Sequence, residues 1–428
     1  MSVALARRLG TADAVVIGLG SMIGAGVFAA FGPAAAAAGS GLLVGLALAA
    51  GVAYCNAVAS AQLAAQYPAS GGTYVYGRER LGEWWGFVAG WGFVIGKTAS
   101  CAAMALTFGS YAAGGSLWAQ RAAGVAAVAA LTAVNYRGIT RTAALARVLV
   151  ALSVLALAVV VIAIAAGGGA STHNARGLPF GHGGLYGIFQ SAGLLFFAFA
   201  GYARIATLGE EVREPERTIP RAIPIALGIV VLLYALVGGS ALLAAGPAAL
   251  AASSAPLVTA LHHAGAAWAS PVVRAGAVVA SLGALLALIA GVGRTALAMA
   301  RNGDLPRTLA SVHPHHRVPD HAELALGAVV ALLVLTTDLR GAIGFSSFGV
   351  LVYYAVANAS ASTQSAEHRR WPRALNVVGL VACVVLIAAL PWTSVAAGAA
   401  VLAAGLAGRA LVVSPGRRAR RRPEAGHR

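Results

Sequence analysis

Lys97 is the single lysine among 30 lysine and arginine residues, and it lies deep in an apolar stretch, in GKTASC. A basic group at the centre of a bilayer costs about 2.5–3.5 kcal/mol on insertion scales, which marks it as functional by default. Desolvated, such an amine can give up its proton, or it can stand as a fixed cation where a metal ion would otherwise sit. Arg204 and Arg294 are the other basic residues inside apolar stretches, and Arg294 is near enough to an end to snorkel. The histidines all fall in loops or tails. Four of them share HPHHRVPDH (His313 to His321), whose prolines and irregular spacing suit a solvated loop better than a metal site. Cys55, Cys101 and Cys383 are odd in number and apolar in setting, so they form neither a disulfide framework nor a metal set. With no nucleophile–base pair or ligand cluster inside the spans, enzyme chemistry is disfavoured and no cofactor or metal is expected.

Two glycine-bearing stretches offer a different chemistry, that of freed backbone. GLGSMIGAGVF (Gly18 to Phe28) places four glycines in an apolar segment, and each costs a helix interior about 0.8–1 kcal/mol relative to alanine. A dinucleotide fingerprint fails here, because Ile23 holds the third glycine position and no strand precedes it. Gly20 and Gly24 have the spacing of a helix-packing motif. The other reading is a broken helix whose freed N–H groups receive a carboxylate. A broken-helix transporter built from inverted repeats needs a second break in its other half. FFAFAGYARIA (Phe196 to Ala206) supplies one, with Gly201 between Phe199 and Tyr202 at mid-membrane depth.

The elements that position these residues are membrane spans. The chain is 59% hydrophobic and 10% charged, with a mean hydropathy of +0.80, so its solvent is lipid along most of its length. Twelve apolar stretches divide it into an inner N-terminus (1–10), helices one to five (11–166), helices six to ten (185–360), helices eleven and twelve (372–411) and a basic tail (412–428). Arg7 and Arg8 precede the first stretch like the start of a signal peptide, but similar stretches recur to the C-terminus, so the first is read as a span. Alternating the loops puts twenty-three arginines on one side and four on the other, with both termini on the arginine-rich side. By the positive-inside rule that side is cytoplasmic. The net charge of +17 thus reflects topology in a lipid bilayer, not nucleic-acid binding. Asp13 and Glu83 mark span ends, and the remaining acids are assigned to loops.

GLGSMIGAGVF resembles the G-x-G-x-x-I-G-A-G-[IV]-F pattern of the amino acid–polyamine–organocation (APC) superfamily, the permeases with the leucine-transporter fold. YPASGGTYVYGRERLG (Tyr67 to Gly82), EEVREPERTIPRAI (Glu210 to Ile223) and GRTALAMARNGDLP (Gly293 to Pro306) are similar to further motifs of that superfamily. The resemblance implies an all-α membrane protein of twelve helices, a five-plus-five inverted repeat with helices one and six broken. It also implies an amino acid held between the breaks, its carboxylate on the backbone of Met22, Ile23, Gly24, Ala25 and Gly26. The amino group would lie near the carbonyls from Phe197 through Phe199 and Ala200 to Gly201, with Phe197, Phe199 and Tyr202 as gates or cation–π partners. Glu210, Glu211 and Arg217 would make gating contacts. The sequence departs from the pattern twice. Ser153 stands where related permeases often carry a lysine in helix five, and Ala203 followed by Arg204 stands where many carry Asp. Without a mid-span carboxylate, sodium coupling and basic substrates are disfavoured. The expected function is secondary active transport of neutral amino acids, proton-coupled or by exchange, with Lys97 and Arg204 coupling or balancing charge. A polyamine or amine carrier of the same fold and a non-transporting receptor are the alternatives.

Overall fold

A computed structural model describes residues 9–68, 71–138, 143–174, 183–208 and 211–420, with backbone alone at 143–144 and 412–420. Most of the N-terminal 1–10 segment, Glu210, and the tail from 421 lie outside the described residues. The first span is built from α1 (Thr11–Met22), α2 (Ala25–Ala29) and α3 (Phe31–Ala38), and the second is α4 (Leu42–Gln66). A short helix, α5 (Thr73–Leu81), leads to spans three to five: α6 (Glu83–Ala112), α7 (Leu117–Tyr136) and α8 (Ala143–Gly167). The sixth span joins α9 (Gly184–Phe199) to the four-residue α10 (Ala203–Ala206), and α11 (Pro215–Ala251) is the seventh. After α12 (Pro256–His263) come α13 (Ser270–Arg301), α14 (Asp320–Thr336), α15 (Leu339–Ser362), α16 (Arg373–Ala389) and α17 (Trp392–Arg420).

Among the described residues, nine helical segments are long and apolar enough to cross a membrane. The other three of the twelve expected spans are α9, α14 and α16, each of 16 or 17 residues. A break at Ala200 cuts the sixth span, and Asp320 and Glu323 fill the first turn of α14. Such helices reach about 25 Å at 1.5 Å per residue, slightly under a bilayer's hydrocarbon thickness.

The third and tenth spans are the most enclosed, and they meet backbone to backbone. A side chain at Gly349 of α15 would lie 2.5 Å from the Gly92 carbonyl of α6 and 2.7 Å from the Gly96 Cα. This small-residue crossing substitutes close packing for the absent hydrophobic drive between helices in lipid. It also fixes the register of Lys97, the residue after Gly96, against the centre of the bundle. Not every remaining acid lies in a loop: Glu79 stands in α5, Glu216 in the first turn of α11, and Asp320 and Glu323 in that of α14, whereas Asp304 does lie in a turn. Glu323 is buried in the first turn of α14, and Asp304, in the turn after α13, is buried between two arginines.

Candidate functional site

The first break is a γ-turn. Ile23 has φ −79° and ψ 70°, close to the inverse γ-turn minimum, and the Gly24 N–H donates to the Met22 carbonyl at 2.8 Å. Helix resumes at Ala25, so the first N–H groups of α2, from Ala25 to Val27, have no intrahelical acceptor. The second break follows Phe199, where Ala200 and Gly201 leave the helix before α10 begins at Ala203.

The two breaks touch. A Cβ at Gly26 would lie 2.7 Å from the Ala198 Cα, and one at Gly201 would lie 2.2 Å from the Ser21 carbonyl oxygen. Only glycine permits these crossings, because the atoms in the way are backbone. Met22, Ile23, Ala25, Ala200 and Tyr202 are all buried.

Side chains from three other helices reach into the break. The Tyr234 hydroxyl of α11 lies 2.7 Å from the Met22 carbonyl and 3.2 Å from the Ala198 carbonyl. One hydroxyl proton thus serves both breaks, and one carbonyl is left short of a donor at any moment. Lys97 donates from Nζ to the Ala200 carbonyl at 3.2 Å, and the Tyr354 hydroxyl reaches the same oxygen at 3.5 Å. Ala200 caps the C-terminal, negative end of α9. Lys97 is 7% exposed and forms no ion pair among the described residues. The helix-end carbonyl of Ala200 therefore takes the place of a counter-ion.

The aromatic candidates pack in pairs. Phe199 lies against Tyr234 with ring centres 5.1 Å apart, and Tyr202 stacks on Tyr354 at 5.1 Å. Phe197 belongs to the surrounding core. Arg204 lies beyond the break, exposed, donating to Thr207 Oγ1 at 3.3 Å. Lys97 is thus brought to the break and Arg204 is not. Arg217 pairs with exposed Glu214 at 3.3 Å, and the Glu211 carbonyl accepts from the Leu9 N–H.

The site is closed at both ends. Tyr111 of α6 donates to the Phe28 carbonyl at 2.7 Å on one side. On the arginine-rich side, Tyr76 of α5 donates to the Ala206 carbonyl at 3.3 Å. Beside the first break a void of about 10 Å³, roughly one water, is lined by Gly20, Ile23, Ser153 and Ala284 among others. Ser153 donates its hydroxyl back to Leu149 at 2.8 Å. Its oxygen is the one side-chain hydroxyl around that void, a poor set for a cation.

Sequence reasoning missed Tyr234, Tyr354 and Tyr111. The available signal was a tyrosine deep in an apolar span, whose hydroxyl must find a partner when buried.

The family model described as "Amino acid permease" matches residues 9–408. An uncharacterized transporter of Mycobacterium tuberculosis is 62% identical over 405 residues, covering 94% of this chain and 90% of its own. The branched-chain amino acid permease BcaP of Bacillus subtilis is 27% identical, with 91% and 90% covered. Human cationic amino acid transporter 4 is 29% identical, with 83% of this chain and 59% of its own covered. Among solved structures, MhsT in complex with L-phenylalanine superposes with a TM-score of 0.61 at 16% identity, over 91% of this chain and 100% of that one. This likeness bears on the fold alone, which is the all-α leucine-transporter architecture with broken first and sixth helices. These relatives are transporters, not enzymes. The chain belongs to the amino acid permease family of the APC superfamily, a multi-pass membrane transporter of amino acids.

Proposed function

We propose that this permease carries neutral α-amino acids across the cytoplasmic membrane by alternating access, coupled to protons or working by exchange. The observation that carries the reading is the meeting of two half-helix ends of opposite polarity at the glycine crossings. A substrate carboxylate would take the free N–H groups after Gly24, within the backbone expected from Met22 to Gly26. Its ammonium would take the carbonyls of Ala198 and Ala200, opposite charge meeting each helix end. Both termini would lie in the cytoplasm, on the arginine-rich side.

Lys97 defines the mechanism. Its ammonium already occupies the Ala200 carbonyl that the substrate ammonium would need. Substrate entry therefore displaces Lys97 or removes its proton, since two cations on one carbonyl repel in a low dielectric. Either event ties the charge state of Lys97 to occupancy, which is the requirement for coupling. The groups around Lys97 are Cys101 one turn along its helix and Tyr354 across the shared carbonyl. None is an acid that would welcome a second positive charge on the substrate.

The human cationic amino acid transporter among the relatives favours a second reading, a basic amino acid as substrate. Uptake into proteoliposomes of labelled leucine, alanine, glutamate, arginine and putrescine, with and without a pH gradient, decides between the two. Leucine or alanine uptake with arginine excluded supports the proposal, and arginine as the preferred substrate overturns its neutral-substrate part.

A further inference from the structure

Beyond the break lies a row of buried polar side chains that the transport route does not use. It starts at Tyr202, whose fully buried hydroxyl is within reach of Tyr354 and Asn56. On α4, Asn56 accepts from Asn358 of α15 at 2.6 Å and from Cys383 of α16 at 3.4 Å. Asn56 Nδ2 and Asn358 Oδ1 nevertheless find no partner. Gly379 leaves room for the Asn358 amide, since a Cβ there would sit 2.5 Å from its oxygen. Asn376 precedes Gly379 by three residues on the same face of α16, and both its amide atoms are unpartnered. One turn past Asn56, Ser60 is also unpartnered. The row ends at the arginine-rich face, where Gln364 donates to Gln66 at 2.6 Å and the Arg370 N–H donates to Gln62 at 3.3 Å. Asn56, Asn358, Asn376, Gln62, Gln364 and Ser60 are each at most 2% exposed.

Unpaired polar atoms at membrane depth are strongly destabilising unless something satisfies them. Buried water is the usual partner, making about three hydrogen bonds to such groups. The seam joins three helices, is amide-rich and begins beside the carbonyl that holds Lys97 through Tyr354. We propose that it is a narrow hydrated path by which a proton travels between Lys97 and the arginine-rich face, apart from the substrate's route. The path rests on the reading of Lys97 as the coupling residue. Lys97 gives one proton to the first water or hydroxyl, each relay group accepts one and passes one, and one proton leaves at the face. The amides orient the waters and do not themselves titrate.

The test uses the full-length protein in proteoliposomes containing a pH-sensitive dye, with labelled L-leucine as probe. Two modes are compared, leucine–leucine exchange and uptake driven by a pH gradient. Asn376→Leu plugs the seam, while Asn376→Ser keeps a polar group and room for water. The expected result is exchange within about twofold of the parent for both, with gradient-driven uptake and dye response about tenfold lower in Asn376→Leu only. Retained exchange also reports correct folding. Gradient-driven uptake that survives Asn376→Leu, or a loss of both modes in equal proportion, overturns the path and makes the seam a structural contact. A parent indifferent to the pH gradient, or a Lys97→Met variant that still responds to it, overturns the coupling reading instead.

Discussion

Tyr234 holds the first and sixth spans in one arrangement with a single hydroxyl. Removing it in Tyr234→Phe leaves the Met22 and Ala198 carbonyls buried without that donor, a loss of about 1–3 kcal/mol. Expected is a lower melting temperature in detergent and a changed substrate affinity; an unchanged melting curve would mean water replaces the hydroxyl. Lys97→Met keeps the volume and drops the charge. Exchange should persist and the response to a pH gradient should vanish, read by uptake at matched and unmatched pH. Residue chemistry was partly legible in sequence. Lys97 stood out because charge at membrane depth has few structural excuses, and the glycines of the two breaks stood out because each weakens a helix interior; that a Cβ at Gly26 or Gly201 would meet backbone needed the fold. Tyr234 and Tyr354 did not, since a tyrosine in an apolar helix looks the same whether its hydroxyl faces a break or a neighbour.

At the scale of elements, α5, α13 and α17 are joined by a buried ion cluster at the arginine-rich face. Asp304 lies 3.1 Å from Arg78 and 2.9 Å from Arg409, and Arg409 sits 4.6 Å from the Trp84 ring centre. Tyr74 donates to Asp304 at 2.7 Å. Burial and that carboxylate push its phenol up to about 12, so it remains a donor. Asp304→Ala would leave buried Arg409 with only the exposed Glu83 carboxylate, 3.6 Å away, at a cost of up to about 3 kcal/mol. A sharp fall in monodisperse yield is expected, measured by size-exclusion chromatography, with Asp304→Asn less affected. Hydropathy located the spans of α13 and α17 but neither α5 nor this join. It counted Arg409 as the first of a cytoplasmic flank, because a side chain's burial depends on which helix packs beside it. The γ-turn at Ile23 was likewise beyond composition, though GLGSMIGAGVF indicated where the helix would yield.

The whole molecule is closed on both sides of the break, by Tyr111 on one face and Tyr76 on the other. A further tie crosses the arginine-rich face. Leu9 pairs with the segment after the sixth span, its N–H donating to the Glu211 carbonyl at 3.1 Å and its carbonyl accepting from Arg213 at 2.9 Å. If the two segments part when the protein opens toward that face, this pair must break. A Leu9→Cys, Val212→Cys double variant is expected to lose transport on oxidation and regain it with reductant, the three native cysteines being buried. Transport unaffected by a formed disulfide would place the moving parts elsewhere. The central claim is that substrate binds where the two breaks meet, and purified protein can test it directly by binding of labelled L-leucine. Gly26→Ala puts a methyl 2.7 Å from the Ala198 backbone, whereas Gly228→Ala, in the interior of α11, meets nothing within 4 Å. With all three proteins monodisperse, the parent and Gly228→Ala should bind alike and Gly26→Ala should not bind; equal binding by Gly26→Ala would contradict the account.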